Sequence, residues 1–356
     1  MSIEVLPLDI TERGECPQEF SFGAVFADHM FRQVYDKGVG WHDAQIVPYQ
    51  PLQLDPSAAV LHYSQEIFEG LKAYRREDGK INLFRPMENI RRFNRSAERM
   101  VMPQVDEQLH LDALKQLVSL DAAWVPAKDG SSLYIRPAMI ATSKKLGLGA
   151  SSQYTHFIIT GPAGAYFAGG FNPISVYITD KYRRAVVGGV GEAKTGGNYA
   201  ASLMASEKVA ELGYSQVLWL DSVNGRYIEE VGAMNICFVY EGNKIVTPAL
   251  SGSILPGITR DSILKLAPTL GYEISEERLD VNQVVADIAS GKITECFGCG
   301  TAAVISPVGK LCYLEKDYIV NNNVSGPVAK HLYDQLTGIQ YGKIEDPFDW
   351  VVTLED

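Results

Sequence analysis

The stretch "GGVGEAKTGGNYAAS", Gly188 to Ser202, sets one lysine, Lys194, between glycines, with Tyr199 five residues on. A lysine that only solubilises a surface does not need glycines on both sides. Three chemistries compete: a phosphate-cradling loop, a reactive amine beside a bound cofactor, and an ordinary exposed turn. "GGVGEAKT" falls one residue short of a phosphate loop, because Ala193 stands where the second glycine belongs. In "YIEEVGAMN", Glu229 and Glu230 are adjacent on an expected strand and therefore face opposite sides, one outward and one inward. An inward carboxylate needs a cationic partner, and a protonated pyridine nitrogen would serve. The bland reading is two surface glutamates. "SGSILPGITRDSI" opens a helix at Ile258 and Thr259, whose backbone N–H groups suit a phosphate or simply start a helix. In "FGCGTAAVISPV", glycines let the backbone pass close to a ligand beside Thr301, or mark a bulged strand.

Read together, these pieces supply a lysine, a carboxylate and a cup of phosphate donors, the set that pyridoxal phosphate requires. The elements that would position them are legible in outline. "RPMENIRRFNRSAERMVMP" carries Met87, Ile90, Phe93 and Ala97 at helical steps, with Pro103 as its stop, and "HLDALKQLVSLDAAWV" is a second helix. "SLYIRPAMIAT", "THFIITGPA" and "ISVYITD" are strand-like. "YAASLMASEKVAELG" reads as one helix with a glycine stop. "QVLWLD" with "RYIEE", and "NICFVY" with "KIVTP", form two hairpins. "GPAGAYFAGGFNP" breaks all periodicity and is the expected linker. The division is 1–164 for an N-terminal domain, 165–177 for the linker and 178–356 for a C-terminal domain, both α/β or α+β.

Composition narrows the partners. The chain has 356 residues, 46% of them hydrophobic, and a net charge of -11. An acidic surface disfavours nucleic acid. No apolar run approaches the ~18 residues of a membrane span, and the N-terminal stretch has no targeting pattern, so the expected location is the cytoplasm. Five cysteines, an odd number, fit free thiols in a reducing compartment. Cys296 and Cys299 form one C-x-x-C without a second ligand pair or suitably spaced histidines, so no metal is expected, and buried inert thiols are the favoured reading.

In their order, "AKTGGNY", "YIEEVGAMN", "LPGITRDSI" and "FGCGTAAVISPV" resemble the branched-chain amino-acid aminotransferases of pyridoxal-phosphate fold type IV. The first-half blocks "FGAVFADHMF", "LHYSQEIFEGLKAY", "LFRPMENIRRFNRSAERM" and "GPAGAYFAGG" resemble the longer-chain members. The resemblance spans about residues 20 to 345 and implies a smaller N-terminal α/β domain, a larger C-terminal mixed-sheet domain and the cofactor between them.

It also implies a ping-pong, Schiff-base transamination between leucine, isoleucine or valine and 2-oxoglutarate, in a homodimer. Lys194 would bind the cofactor aldehyde and shuttle the α-proton. Glu230 would pair with the pyridine nitrogen, with Glu229 its outward neighbour, and Tyr199 would bond the phenolic oxygen. Arg92, Ile258, Thr259 and Thr301 would hold the phosphate, and amides of Thr301 and Ala302 the substrate carboxylate. Phe22, Phe68, Tyr134 and Tyr166 would line an apolar pocket, with Tyr63, Leu146 and Leu148 reaching across the dimer. Arg136 would meet the second carboxylate of glutamate. Ala303 and Ser306 stand where some relatives carry a redox-sensing cysteine pair, so that switch is expected to be absent. Rival functions are D-amino-acid aminotransferase, aminodeoxychorismate lyase and a non-catalytic pyridoxal-phosphate binder.

Overall fold

Alternating apolar residues pair the strand Ser132–Ala141 with Gln153–Ala163 along its whole length, from Ser132 opposite Ala163 to Ala141 opposite Tyr154. This pair lies in the middle of the first of two sheets in a computed structural model that describes residues 2–164 and 171–355. The sheet runs Glu4–Val5, Gly40–Pro48, His29–Asp36, Gln153–Ala163, Ser132–Ala141, Leu71–Arg75, Ile81–Phe84 and Val351–Leu354, with Glu66–Phe68 added on Ser132–Ala141. Helix Pro86–Arg99 buries Ile90, Phe93 and Ala97 on one stripe, as its spacing predicts. It stops at Arg99, before the expected Pro103; Val101 takes a left-handed φ of 55°. The second helix starts at Glu107, earlier than the apolar pattern suggests, because the Asp106 side chain caps the Leu109 N–H at 2.7 Å.

The second sheet runs Ile228–Val231, Gln216–Leu220, Ile174–Ile178, Val304–Tyr313, Ile293–Gly300, Met234–Tyr240, Lys244–Pro248 and Glu273–Glu277, with Lys316–Ile319 on Val304–Tyr313. Ile228–Val231 also pairs with Met234–Tyr240, which closes six of these strands into a ring. Parallel and antiparallel pairings mix, as the resemblance implies. Val176, Leu218, Val231, Ile236, Phe238 and Leu311 form the centre of its core. The expected single helix after the lysine loop is two, Gly196–Ala200 and Leu203–Glu211; between them Ser202 Oγ donates to the Tyr199 carbonyl at 2.7 Å.

The chain divides into two units, Met1–Tyr166 with Ala193–Gly196 and Gly338–Asp356, and Phe167–Glu192 with Gly197–Thr337. This differs from the sequence boundaries in three ways. The closing segment belongs with the first sheet, since Val351–Leu354 pairs with Ile81–Phe84. The strand at Ile174 begins inside the expected linker, of which residues 165–170 lie outside the described residues. Four residues around the lysine belong to the first unit although their chain neighbours do not. With these segments the N-terminal unit is not the smaller of the two.

Candidate active site

The peptide of Lys194 is fixed from both sides within the first unit. Its N–H donates to Ser96 Oγ at 3.0 Å, and its carbonyl accepts from the Phe68 N–H at 3.0 Å. Gly196 N–H donates to Glu66 Oε1, and a Cβ at Gly196 would strike that same carboxylate. A Cβ at Gly191 would strike the Ser253 carbonyl. These two close approaches explain why glycines flank the lysine. The Lys194 side chain itself lies with Nζ 4.7 Å from the centre of the Phe68 ring.

Around Phe68 the first unit gathers most of the expected pocket. The Arg136 guanidinium stands 4.7 Å from the Phe68 ring centre and 5.3 Å from that of Tyr134, and its Nη2 donates to Tyr134 Oη at 3.1 Å. Phe22 meets Tyr134 edge-on, ring centres 4.9 Å apart. Arg92 is buried, and Glu69 takes its Nε at 2.7 Å and its Nη2 at 2.9 Å. Burial works to raise the Glu69 carboxyl, but the charge and hydrogen bonds of Arg92, with the charge of Lys194, hold it below the usual carboxylate range. Tyr63 donates from its hydroxyl to the Leu146 carbonyl; Leu146 is 65% exposed and Leu148 82%. Tyr166 lies outside the described residues.

The second unit holds the other group. Glu230 Oε2 stands 2.7 Å from Arg184 Nε, while Oε1 accepts from the Leu255 N–H at 2.8 Å and from Asn235 Nδ2 at 3.4 Å. Arg184 Nη2 also donates to the carbonyls of Ser253 and Gly191, so one guanidinium joins Glu230 to the loop before the lysine. Glu229 is not the outward neighbour expected. Both glutamates are only 3% exposed. The ladder with Gln216–Leu220 shifts register between them, Trp219 opposing Glu230 and Leu220 opposing Ile228, so Glu229 sits at a bulge and not on a regularly alternating strand; Ser251 and Ser253 hydroxyls donate to Glu229 Oε1. Burial pushes the Glu229 carboxyl up, and the two serines only partly oppose it.

Gly257 leads into the helix Ile258–Thr269 without a side-chain cap, and Ile258 and Thr259 are buried in its first turn. Thr301 and Ala302 sit in the tight turn between Ile293–Gly300 and Val304–Tyr313, where Gly300 pairs with Val304. Tyr199 is half-buried in the short helix Gly196–Ala200.

Three partners escaped the sequence reading: Glu69, Glu66 and Arg184. Glu69 had a signal, a carboxylate inside the apolar run "EIFEGLKAY", which has to be paired if buried. Arg184 follows Arg183 in sequence, and nothing in "KYRRAVVGG" says which of the two turns inward. Among the described residues, Asp28, His29 and Asp121 lie close enough to share a metal ion. They already serve one another and the backbone: His29 Nδ1 meets Asp121 Oδ1 at 2.5 Å, His29 Nε2 accepts from Leu8 N–H, and Asp28 accepts from Gly14 N–H.

Comparison with known proteins places this arrangement. The family described as Amino-transferase class IV matches residues 66–311. The chain is 53% identical over 339 residues to the Branched-chain-amino-acid transaminase 1 of Bacillus subtilis (strain 168), covering 95% of each. It is 48% identical over 337 residues to the Branched-chain-amino-acid aminotransferase of Mycolicibacterium smegmatis, covering 94% of this chain and 92% of that one. Its fold matches the Escherichia coli branched-chain amino acid aminotransferase with a TM-score of 0.76 at 27% identity, covering 91% of this chain and 99% of the other. The T.th. branched-chain amino acid aminotransferase with pyridoxamine 5'-phosphate matches with a TM-score of 0.75 at 25% identity, covering 91% of this chain and 98% of the other.

The donor set of each unit fits a pyridoxal cofactor. The first offers a primary amine held by its backbone and a buried guanidinium; the second offers a buried, clamped carboxylate and a helix start without a side-chain cap. On this family match, this identity over nearly the whole chain and this donor set, the chain belongs to the class IV amino-transferases, as a branched-chain-amino-acid transaminase working with pyridoxal 5'-phosphate.

Proposed function

We propose that the enzyme moves amino groups between leucine, isoleucine or valine and 2-oxoglutarate in two half-reactions, with Lys194 as the catalytic residue. The observation that carries this reading is the double anchoring of the Lys194 peptide, by Ser96 and Phe68, which fixes the backbone from which Nζ projects. When bound, pyridoxal phosphate supplies an aldehyde to receive the amino group and a ring to accept electrons from the α-carbon. Lys194 Nζ would be the amine that holds the aldehyde and the base that carries the α-proton. Glu230, oriented by Arg184, would keep a proton on the ring nitrogen. Tyr199 would donate to the phenolic oxygen. Arg92, aimed by Glu69, would be the cation for the phosphate, with amides at Ile258 and Thr259 and with Thr301 as its further donors. Amides of Thr301 and Ala302 hold the substrate carboxylate.

Phe22, Phe68 and Tyr134 exclude water from the aliphatic side chain, and Arg136 receives the distal carboxylate of glutamate. The same reading makes the enzyme a cytoplasmic homodimer in which Tyr63, Leu146 and Leu148 serve the neighbouring subunit; their exposure supports it. Among the described residues no helix is long and apolar enough to cross a membrane. The test is glutamate formation from each L-amino acid and 2-oxoglutarate, with D-alanine as the contrasting donor and sedimentation for the dimer. Lys194→Ala should fold and lose turnover, because the bonds that fix residue 194 are main-chain bonds. Turnover preserved in that variant, or a preference for the D-amino acid, overturns the reading.

A further inference from the structure

Arg136 is under-partnered for a half-buried arginine. Its guanidinium is flanked by two aromatic rings, Nη2 reaches the Tyr134 hydroxyl, and its buried Nε has no hydrogen-bond partner among the described residues. No described carboxylate stands within ion-pair distance of it. The strand Glu66–Phe68 pairs with Ser132–Ala141, Glu66 opposing Ile140 and Phe68 opposing Ala138, so Arg136, an even step further on, lies on the face of the sheet that carries Glu66. Glu66 and Phe68 are two residues apart on the strand Glu66–Phe68 and so share a face. Glu66 is itself anchored: its Oε1 accepts the Gly196 N–H, two residues past Lys194. The carboxylate thus shares a face with Arg136 but is tied to the Gly196 N–H and not to the guanidinium.

We propose that Glu66 is a specificity-determining residue: its charge weakens the grip of Arg136 on a dicarboxylate substrate and leaves an aliphatic one unaffected. The proposal rests on the reading of Arg136 as the partner of the distal carboxylate. A two-step transaminase passes both substrates through one pocket and must release each of them. An arginine enclosed by aromatic rings, with no anion nearby, would hold a dicarboxylate disproportionately well. A fixed carboxylate lowers the positive potential at the guanidinium. A leucine side chain carries no charge and does not sense the difference. Burial raises the Glu66 carboxyl above its ordinary range, with the Gly196 N–H and the Arg136 charge opposing, which accords with a carboxylate kept out of direct ion pairing.

Glu66→Gln keeps an oxygen for the Gly196 N–H and removes the charge. In the cofactor-loaded enzyme, glutarate and 4-methylpentanoate are the probes, one a dicarboxylate and one a branched monocarboxylate. Glu66→Gln should tighten glutarate about three- to tenfold, the scale of one partly screened charge, and lower the KM for 2-oxoglutarate in parallel. Binding of 4-methylpentanoate, which carries no distal charge, should change at least about threefold less than binding of glutarate. Glu66→Asp, which keeps the charge, should not tighten glutarate. Tightening in Glu66→Asp would trace the effect to movement of the Gly196 loop and overturn the proposal. So would equal changes for both probes in Glu66→Gln, or weaker glutarate binding. Arg136→Ala separates the two levels. If it leaves glutarate binding intact, the reading of Arg136 has failed. If it destroys glutarate binding while Glu66→Gln changes nothing, only the role of Glu66 has.

Discussion

Arg184 Nε and Glu230 Oε2 stand 2.7 Å apart with both side chains buried, and the same guanidinium bonds the carbonyls of Gly191 and Ser253. Removing one partner of such a pair leaves an uncompensated charge in the interior, at a cost of about 3–5 kcal/mol. Arg184→Gln should therefore destabilise the cofactor-free protein by that order, and adding Glu230→Gln should recover much of the loss. Glu230→Gln alone should fold and lose most activity, since an amide cannot hold the ring nitrogen protonated. Denaturant unfolding of the four proteins measures the coupling; additive effects of the two changes would mean that the pair is not a unit.

Glu229 calls for a different expectation, because it is buried without an ion pair. Its carboxyl is raised in the folded state above an ordinary value of 4.5, chiefly by burial. The folded protein then binds more protons than the unfolded chain as the pH passes above about 4.5, so this group's contribution to stability falls as pH rises through that window. Glu229→Gln keeps an oxygen for Ser251 and Ser253 and removes the titration. Its melting temperature relative to the parent should climb from about pH 4 to pH 7. A constant difference across that range would show that Glu229 does not titrate there. Activity should change little, in contrast to Glu230→Gln.

That contrast shows what a sequence can and cannot tell. The strand that carries Glu229 and Glu230 was legible, but strict alternation along it was not a safe inference, because the ladder with Gln216–Leu220 shifts register at Glu229. Nor was the burial of both carboxylates legible, because the cover over Glu229 comes from Ser251 and Ser253, more than twenty residues away along the chain. The two hairpins were legible because each rests on local rules of turns and period. Glu69, Glu66 and Arg184 act only through partners distant in sequence, and the attachment of Val351–Leu354 to Ile81–Phe84 is a long-range pairing that no local pattern announces.

Two histidines in the first unit predict acid sensitivity. His110 and His156 are buried with ring centres 4.8 Å apart, and both ring nitrogens of His110 and Nε2 of His156 lack hydrogen-bond partners among the described residues. Burial lowers His110 from 6.5 to about 4 and His156 well below its ordinary value. A folded pKa below the unfolded one means that the unfolded chain takes up more protons, so stability is complete above about pH 6.5 and falls as the pH drops towards 4. For His110 alone the loss is about 3 kcal/mol. His110→Leu should flatten the pH dependence of unfolding between pH 7 and pH 4 by roughly that amount. Parallel curves for parent and variant would contradict it.

The C-x-x-C at Cys296 and Cys299 should not act as a switch. Three residues apart on the strand Ile293–Gly300, the two side chains face opposite sides of the sheet, which no disulfide spans. Both are buried. A hydrogen bond with Cys237 and burial raise the Cys299 thiol well above its ordinary value, and burial does the same for Cys296, so neither supplies a reactive thiolate. Mild peroxide should leave activity unchanged. Reversible inactivation, rescued by thiol and lost in Cys296→Ser, would require a rearranged strand.

Arg136→Ala should damage the glutamate half-reaction far more than the leucine half-reaction. The walls around the guanidinium, Phe68 and Tyr134, give leucine apolar contact and offer a carboxylate nothing in place of water. A carboxylate entering unpaired would forfeit several kcal/mol of hydration. Arg136 replaces part of that at roughly 1.5–3 kcal/mol per charged hydrogen bond. Its loss corresponds to a glutamate-specific decrease of about ten- to a hundredfold in kcat/KM. The same truncation also removes the guanidinium from between the rings, which loosens the pocket wall for both substrates and should cost leucine no more than about threefold. Following the cofactor's absorbance with each amino acid alone separates the two half-reactions. Equal losses would make Arg136 a brace for Phe68 and Tyr134, and the distal carboxylate would then need another cation.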